Sequence, residues 1–460
     1  IFFMKNILFI TPPNNPFSSS GILIEPIDTI HLATYIQSLG YNVTFLDMDV
    51  KKLAPSFLTE FLQNKQFDLS VIVFDYHIPL HDEGSNSKIF EILDILKDFN
   101  ILSALGGKIA SFYNEEQLSK WHADFFFYKD IEYSLKSFLE NYPHIQNVPN
   151  IRIKKDNKFI TNPIESFSIN LNSFPIPNRK ICDLNDYIDV RTILSSRGCN
   201  LKCTFCHVPG FWGSWKGKSP ELVVEEILYL QNTFNTKKVL FLDDNAMAQP
   251  QRMKEIAQLL IEKNSKVALG CLGTILSFQK SVMQTMFEAG FRWIHYGAES
   301  ADEQLLIDMN KKTDPNKILE TITETKNIGF RVRTSWILDM PNLTEEALLK
   351  TEKMITENPT DEIRLHFLTL RLGSYLHQKF NIQTKQFIHN SKQNLNISGI
   401  SSQLITESLD RILNSLKNQG YTIVFNPDDF IDIEKLKQNN PKLKIVSLCP
   451  LRYGLGWSYD

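Results

Sequence analysis

The chain has 460 residues, 43% of them hydrophobic, with 49 Lys and Arg against 52 Asp and Glu. That length supports two or three domains with sizeable cores, and the near-balance of charge gives no reason to expect a nucleic-acid or anionic-membrane surface. No apolar run approaches the roughly 20 residues of a membrane span, and six cysteines, three of them clustered, do not read as a disulfide framework, so a cytoplasmic protein is expected.

The opening ten residues are apolar but lack a basic start and a small-residue cleavage site, so they read as a first strand, with Met4 a candidate start. The strand ends in Pro12-Pro13-Asn14-Asn15-Pro16. Residues 26–39 carry Ile30, Leu32, Ala33, Ile36 and Leu39 at helical spacing and stop at Gly40. A strand at 42–47, a helical stretch near 54–65, a strand at 69–75, a helix at 87–98 and a strand from Ile101 to Gly106-Gly107 follow. Alternation at this spacing predicts a doubly wound, flavodoxin-like parallel sheet over residues 1–140. Ligands of such sheets lie beyond the strands' carboxyl ends, here Pro12 to Gly21, Asp75 to Gly84 and Gly106 to Ala110, and Gly106 and Gly107 allow close backbone approach.

Residues 141–190 read as a linker, with a hairpin at 150–161 and an extended, proline-punctuated run up to Arg179, whose default partner is a surface or interdomain carboxylate. Over 191–375, strands open at Arg191, Lys238, Lys266, Phe291, Phe330 and Glu362, with helices predicted at 219–233, 250–263, 278–289, 315–327 and 344–356. Six strand–helix units predict a partial (β/α)6 TIM-type barrel, whose chemistry belongs at the strand C-termini. Residues 376–460 carry an amphipathic helix (Leu404, Ile405, Leu409, Ile412, Leu413, Leu416) and two strands, a small α/β extension on the substrate side.

The sharpest signal is Cys199, Cys203 and Cys206, spaced C-x3-C-x2-C on one loop. Thiolates favour zinc or iron–sulfur clusters. A structural zinc ion and an electron-carrying 4Fe–4S cluster each take four protein ligands. Three cysteines on one loop hold three irons of a cubane and leave the fourth open. His207 is a candidate fourth ligand for zinc, but adjacent residues rarely both reach one tetrahedral ion.

This loop, with aromatic Phe205 before its last cysteine, resembles the signature of the radical S-adenosylmethionine (SAM) enzymes. Glu25-Pro26, Leu32-Ala33, Gly40-Tyr41-Asn42-Val43 with Asp47, and the Gly106-Gly107 turn resemble the cobalamin-binding domain that precedes many radical SAM cores. The resemblance implies a 4Fe–4S cluster on Cys199, Cys203 and Cys206, SAM on the open iron and a 5′-deoxyadenosyl radical as its product. It implies cofactor contacts from Phe205, from Asp243 and Asp244 toward the SAM amino group, and from Glu299 and Ser300 of a Gly-x-Glu-Ser stretch. Helix capping competes for the aspartates, and an ion pair with Arg333 competes for Glu299. Gly106 and Gly107 would approach a cobalamin. Of the base-off motif Asp-x-His-x-x-Gly only Asp75 and His77 match, which leaves His77 or His81 as a candidate axial ligand beside the plainer reading of a loop histidine. Asp339 and Asn342 replace the two glycines of the family's Gly-x-Pro-Gly pattern, and Asp339 is a candidate to face substrate.

No catalytic acid, base or hydrogen donor is assigned. The expected function is cobalamin-dependent methylation of an unactivated carbon in a small molecule. The alternatives are a non-methylating radical SAM reaction with a vestigial first domain, or a non-catalytic metal-binding protein. Expected partners are a small-molecule substrate and an electron donor such as flavodoxin or ferredoxin, with no nucleic acid and no membrane.

Overall fold

The structure, a computed structural model, describes residues 4–13, 24–74, 83–155, 158–165, 169–368, 370–380, 398–417, 419–425 and 433–447. His77, His81 and Cys449 lie outside these residues. The chain forms two units, Ile1–Ile188 and Asp189–Asp460.

The first unit is built on β1 (Asn6–Thr11), β2 (Asn42–Asp47), β3 (Leu69–Phe74), β4 (Leu102–Gly107), β5 (Phe125–Phe127), β6 (Ile151–Lys155) and β7 (Lys158–Thr161). Their order is β2-β1-β3-β4-β5-β6-β7. The first five run parallel in the 2-1-3-4-5 order of flavodoxin-like sheets. Unbroken apolar runs such as Ile7–Ile10 and Val71–Val73 suit strands covered on both faces. Ile7, Phe9, Val71 and Ala104 pack with Leu32 and Ile36 of the helix Ile27–Ser38 and with Phe138 of the helix Glu132–Asn141.

Two features depart from expectation. The hairpin expected in a linker is β6–β7, which pairs antiparallel onto β5 and extends the first sheet. The segment after it also packs on the first unit. Asn178 N–H donates to Thr34 Oγ1 at 2.8 Å, and Tyr187 O–H to Asp47 Oδ2 at 2.8 Å. Arg179, whose expected partner was a surface or interdomain carboxylate, is fully buried and donates to the Pro177 carbonyl at 3.2 Å.

The second unit is one parallel sheet of β8 (Arg191–Ile193), β11 (Lys238–Phe241), β12 (Ala268–Thr274), β13 (Phe291–Glu299), β14 (Arg331–Ile337), β15 (Glu362–His366), β16 (Thr422–Phe425) and β17 (Lys444–Ser447), in that order. A short antiparallel ribbon of β9 (Ser196–Arg197) and β10 (Lys216–Gly217) stands apart. The first six strands are those of the expected partial barrel, and the two expected in a C-terminal extension continue the same sheet. Helices return between strands with local punctuation: Asp314 and Thr344 accept backbone N–H groups as N-caps, and Gly329 ends a helix at φ +113°.

The inner face carries buried polar residues. Trp293, Arg333 and Glu362 are fully buried, Arg333 Nε donates to Glu362 Oε2 at 2.6 Å, and the guanidinium lies 5.2 Å from the Trp293 ring centroid. Arg333 and Glu362 stand directly opposite in the β14/β15 register. Register therefore makes Glu362 the partner of Arg333. Glu299 lies four residues beyond His295, the β13 residue opposite Arg333, about 13 Å along the strand.

Candidate functional site

At the carboxyl ends of β12–β15 a cavity of about 280 Å³ opens. Its lining includes Cys199, Cys203, Cys206, Phe205 and Asp244 on one wall, Glu299 and Lys311 between, and His295, Ser335, Arg364, His366 and Arg371 on the other.

The cysteine loop runs from β9 to β10, so the ribbon holds both its ends. Gly198 turns the chain into it at φ +82°, and a Cβ there would come within 3.0 Å of the Ser214 carbonyl. Leu201 N–H points at Cys199 Sγ (3.5 Å), Val208 N–H at Cys206 Sγ (3.4 Å) and Asn245 Nδ2 at Cys199 Sγ (3.5 Å). Donors aimed at sulfur favour thiolates and help hold metal ligands in place. Thr204 ties the loop to the barrel: its N–H donates to the Met309 carbonyl, and its own carbonyl accepts from Leu376 N–H, both at 2.9 Å. Burial pushes the Cys203 thiol up, with Lys311 pulling the other way. A cluster would remove that proton, since metal binding is coupled to thiol ionisation. Three thiols, those of Cys199 and Cys206 met by N–H donors, with no fourth cysteine among the described lining residues, fit a cluster that keeps one iron open.

The run after β11 divides its work. Asp243 is fully buried and turned to the loop's base, accepting from Ser195 N (2.7 Å), Ser195 Oγ (2.5 Å) and Ser196 Oγ (2.6 Å). Burial raises its pKa while these donors lower it. Asp244 lines the cavity and accepts from Gly198 N–H at 3.1 Å. Of the two aspartates, Asp244 is the one placed where a ligand ammonium could meet it.

Glu299 ends β13 at φ +71°, just past a register shift against β14. A non-glycine there costs about 1–3 kcal/mol, a strain that concentrates at functional sites. Its Oε1 lies 3.0 Å from Lys311 Nζ, and both side chains are over nine-tenths buried. Gly297 makes room for the pair, since a Cβ there would meet Glu299 Oε1 and lie 2.9 Å from Lys311 Nζ. Burial disfavours the Lys311 charge, yet Glu299 and Cys203 more than compensate and its pKa is raised. Ser300 is buried outside the lining. Its hydroxyl lies 3.3 Å from Thr351 Oγ1 and accepts from Asp302 N–H. In the other unit, Gly106 and Gly107 close β4; Gly107 has φ +87°, and a Cβ on Gly106 would meet Ile131 Cδ1 at 2.7 Å.

The second wall was not anticipated. Ser335 Oγ sits between His295 Nε2 (2.6 Å) and His366 Nε2 (3.3 Å), and Arg364 faces Ser335 across the β14/β15 register. Burial, reinforced by neighbouring cations, holds both imidazoles neutral, well below their usual pKa. A signal was present: β15 reads Glu-Ile-Arg-Leu-His, a strict polar alternation on a strand whose other face must meet helices. Lys311 carried none, because a lysine after a short helix reads as solvent-facing.

Residues 193–355 match the family model described as the Radical SAM superfamily. In sequence, the chain is 24% identical over 237 residues to an uncharacterized methyltransferase of Pyrococcus horikoshii, covering 50% of this chain and 52% of that one. In structure it is similar to TsrM, a radical S-adenosylmethionine methyltransferase from Kitasatospora setae solved with cobalamin and a 4Fe–4S cluster. The TM-score is 0.71 at 12% identity, over 81% of this chain and 74% of that one. It is also similar to OxsB, a cobalamin-dependent S-adenosylmethionine radical enzyme, with TM-score 0.67 at 19% identity over 84% of this chain and 56% of that one. The match thus spans about half the length of the Pyrococcus relative and of OxsB. At these identities the structural likeness establishes the fold.

Proposed function

We infer that this chain, which belongs to the radical SAM superfamily, is a cobalamin-dependent methylase of an unactivated carbon in a small molecule. One observation carries the catalytic half of that reading: a single cavity at the strand C-termini is lined by all three cysteines, Asp244, Glu299 and Lys311. A 4Fe–4S cluster on Cys199, Cys203 and Cys206 would supply the electron that breaks the sulfonium C–S bond of SAM.

This chain's own residues do the rest by positioning. Leu201, Val208 and Asn245 aim donors at the sulfurs. Asp244 and Glu299 offer carboxylates to the ammonium and hydroxyls of SAM, and Lys311 offers a cation to its carboxylate. The pairing of Glu299 with Lys311 keeps both charges in place before the ligand arrives, so little reorganisation is needed on binding. Phe205 presents an apolar ring to the same cavity.

For the corrin, the carboxyl edge of the first sheet is the place, and the Gly106–Gly107 turn lies on it. Support comes from the flavodoxin-like strand order and from the fold shared with TsrM and OxsB. Cobalamin would supply the methyl group. The candidate cofactor residues of this proposal are thus Phe205, Asp244, Glu299, Lys311, Gly106 and Gly107, with Asp243 and Ser300 shaping the cavity's edges from behind.

The test is anaerobic reconstitution with cobalamin supplied, followed by iron, sulfide and corrin quantitation and assay of 5′-deoxyadenosine. About four irons with stoichiometric corrin supports the methylase. The same iron without corrin points to a non-methylating radical reaction, a reading that the Asp339 substitution in the family's glycine pattern also favours.

A further inference from the structure

Asp243, Asp244 and Asn245 follow β11 in succession, and each meets the cysteine loop at a different point. Asp243 accepts from Ser195 and Ser196 at its base, and Asp244 from Gly198 N–H at its entry. Asn245 reaches a cysteine: its Nδ2 lies 3.5 Å from Cys199 Sγ. With Leu201 N–H also at 3.5 Å, Cys199 Sγ has two donors, while Cys206 Sγ meets Val208 N–H at 3.4 Å. Leu201 and Val208 donate from the backbone, which almost any residue would supply. Asn245 donates from its side chain, so the residue type itself matters there.

Helix capping does not explain this asparagine. Asn245 stands at the N-cap of the short 3-10 turn Ala246–Ala248, where an asparagine ordinarily accepts an N–H of the turn, yet its side chain makes no such bond. The residue is 2% exposed, and its Oδ1 has no hydrogen-bond partner among the described residues. A buried amide oxygen without a donor costs stability, and an apolar side chain of the same size would avoid that cost. The orientation follows from the partner: a thiolate sulfur only accepts, so the amide presents its N–H edge and leaves its oxygen stranded. A donor aimed at a cluster sulfur favours the more negative, reduced state and so raises the reduction potential.

We propose that Asn245 sets the redox poise of the site: its amide N–H, donated to the Cys199 sulfur, makes a cluster held there easier to reduce by one electron from an external reductant. Asn245 acts through Cys199 and is therefore a positioning residue. The inference rests on reading the three cysteines as ligands of a 4Fe–4S cluster. It puts a control on SAM cleavage at Asn245, since that cleavage draws its electron from the reduced state.

The test is a redox titration, followed by electron paramagnetic resonance, of the anaerobically reconstituted full chain as wild type, Asn245→Leu and Asn245→Ala. The one-electron reduction equilibrium should fall about two- to tenfold in both variants, the range of one hydrogen bond, which lowers the midpoint by about 20–60 mV. Iron and sulfide content should match wild type. The melting temperature of cluster-free Asn245→Leu should be equal or higher, because the stranded oxygen is gone. A merely structural asparagine would instead lower the melting temperature and leave the midpoint where it was. Asn310→Gly is the control: the Asn310 amide ties the same loop through the Lys202 carbonyl at 2.8 Å, and glycine accepts its φ of +53°, so the midpoint should not move. An unchanged midpoint in the Asn245 variants overturns the proposal. So does an equal shift in Asn310→Gly, which would trace the effect to a loosened loop, or loss of iron from a folded Asn245→Ala chain, which would make Asn245 a support for cluster assembly. Circular dichroism checks folding, and Asn245→Ala reads the midpoint if the leucine variant does not fold. Wild-type protein with no reducible cluster signal fails the cluster reading itself; a wild-type signal with unmoved variants fails only this proposal.

Discussion

One wall of the cavity is a loop whose ligands lie within eight residues of each other and whose sulfurs are held mainly by backbone N–H groups. The other wall is assembled from His295, Ser335 and Arg364, on three strands whose alignment depends on long-range register. The first takes its ligands from one short loop, and its fixed points are Gly198, Asp243, the short ribbon and the Thr204 contacts to Met309 and Leu376. The second stands on the buried Arg333–Glu362 pair beneath it, so its geometry is coupled to the stability of the barrel. Damage to the first wall should therefore abolish chemistry while sparing the fold. Damage beneath the second should cost stability first.

The largest effect is expected at the cysteines. Cys203→Ala should reduce 5′-deoxyadenosine formation to background under anaerobic reductant, with an unchanged melting temperature in the cluster-free protein. Next is Lys311→Met, which leaves Glu299 as an uncompensated buried charge. It should cost about 3–5 kcal/mol of stability and weaken SAM binding measurably, read by chemical denaturation and by equilibrium dialysis. Arg333→Met sharpens the comparison: a similar loss of about 3–5 kcal/mol is expected from stranding Glu362, softened by Arg331 Nε at 3.5 Å, but with SAM affinity retained in the folded fraction. Loss of SAM binding there would mean that the two walls are not separable.

The smallest effect is pH-dependent. Burial pushes the Asp339 carboxyl up to about 6, and its Oδ1 has no hydrogen-bond partner among the described residues. The folded state therefore holds the proton more tightly than the unfolded chain. The stability this contributes is complete below pH ~4 and is lost as pH rises through about 6. Asp339→Asn should raise the melting temperature at pH 8, by an amount equivalent to no more than about 3 kcal/mol, and leave it unchanged at pH 4.

The same contrast explains what could be read without coordinates. The parallel sheet of the first unit was legible because its strands are short apolar runs broken by Pro and Gly, and the cysteine wall because its three ligands are sequence neighbours. β5 was not, since Phe125–Phe127 is too short a run to distinguish from a loop, and without it the β6–β7 hairpin had no sheet to join. The competing partner for Glu299 was Arg333, on the ground that a buried charge needs a partner, whereas register assigns Arg333 to Glu362 and the chain after β13 delivers Lys311. Asp243 and Asp244 look equivalent in sequence. In the turn after β11 one reaches Ser195 and the other lines the cavity. Burial of long-range polar partners is the information that one-dimensional spacing does not hold.

The central claim is that the cysteine wall works with Glu299 and Lys311 to cleave SAM. The most direct measurement is 5′-deoxyadenosine production by anaerobically reconstituted protein, with dithionite and SAM, beside Cys203→Ala at matched protein concentration. The account predicts product from the first and none from the second. No product from wild-type protein carrying its full complement of iron and sulfide, or equal product from both, would contradict it.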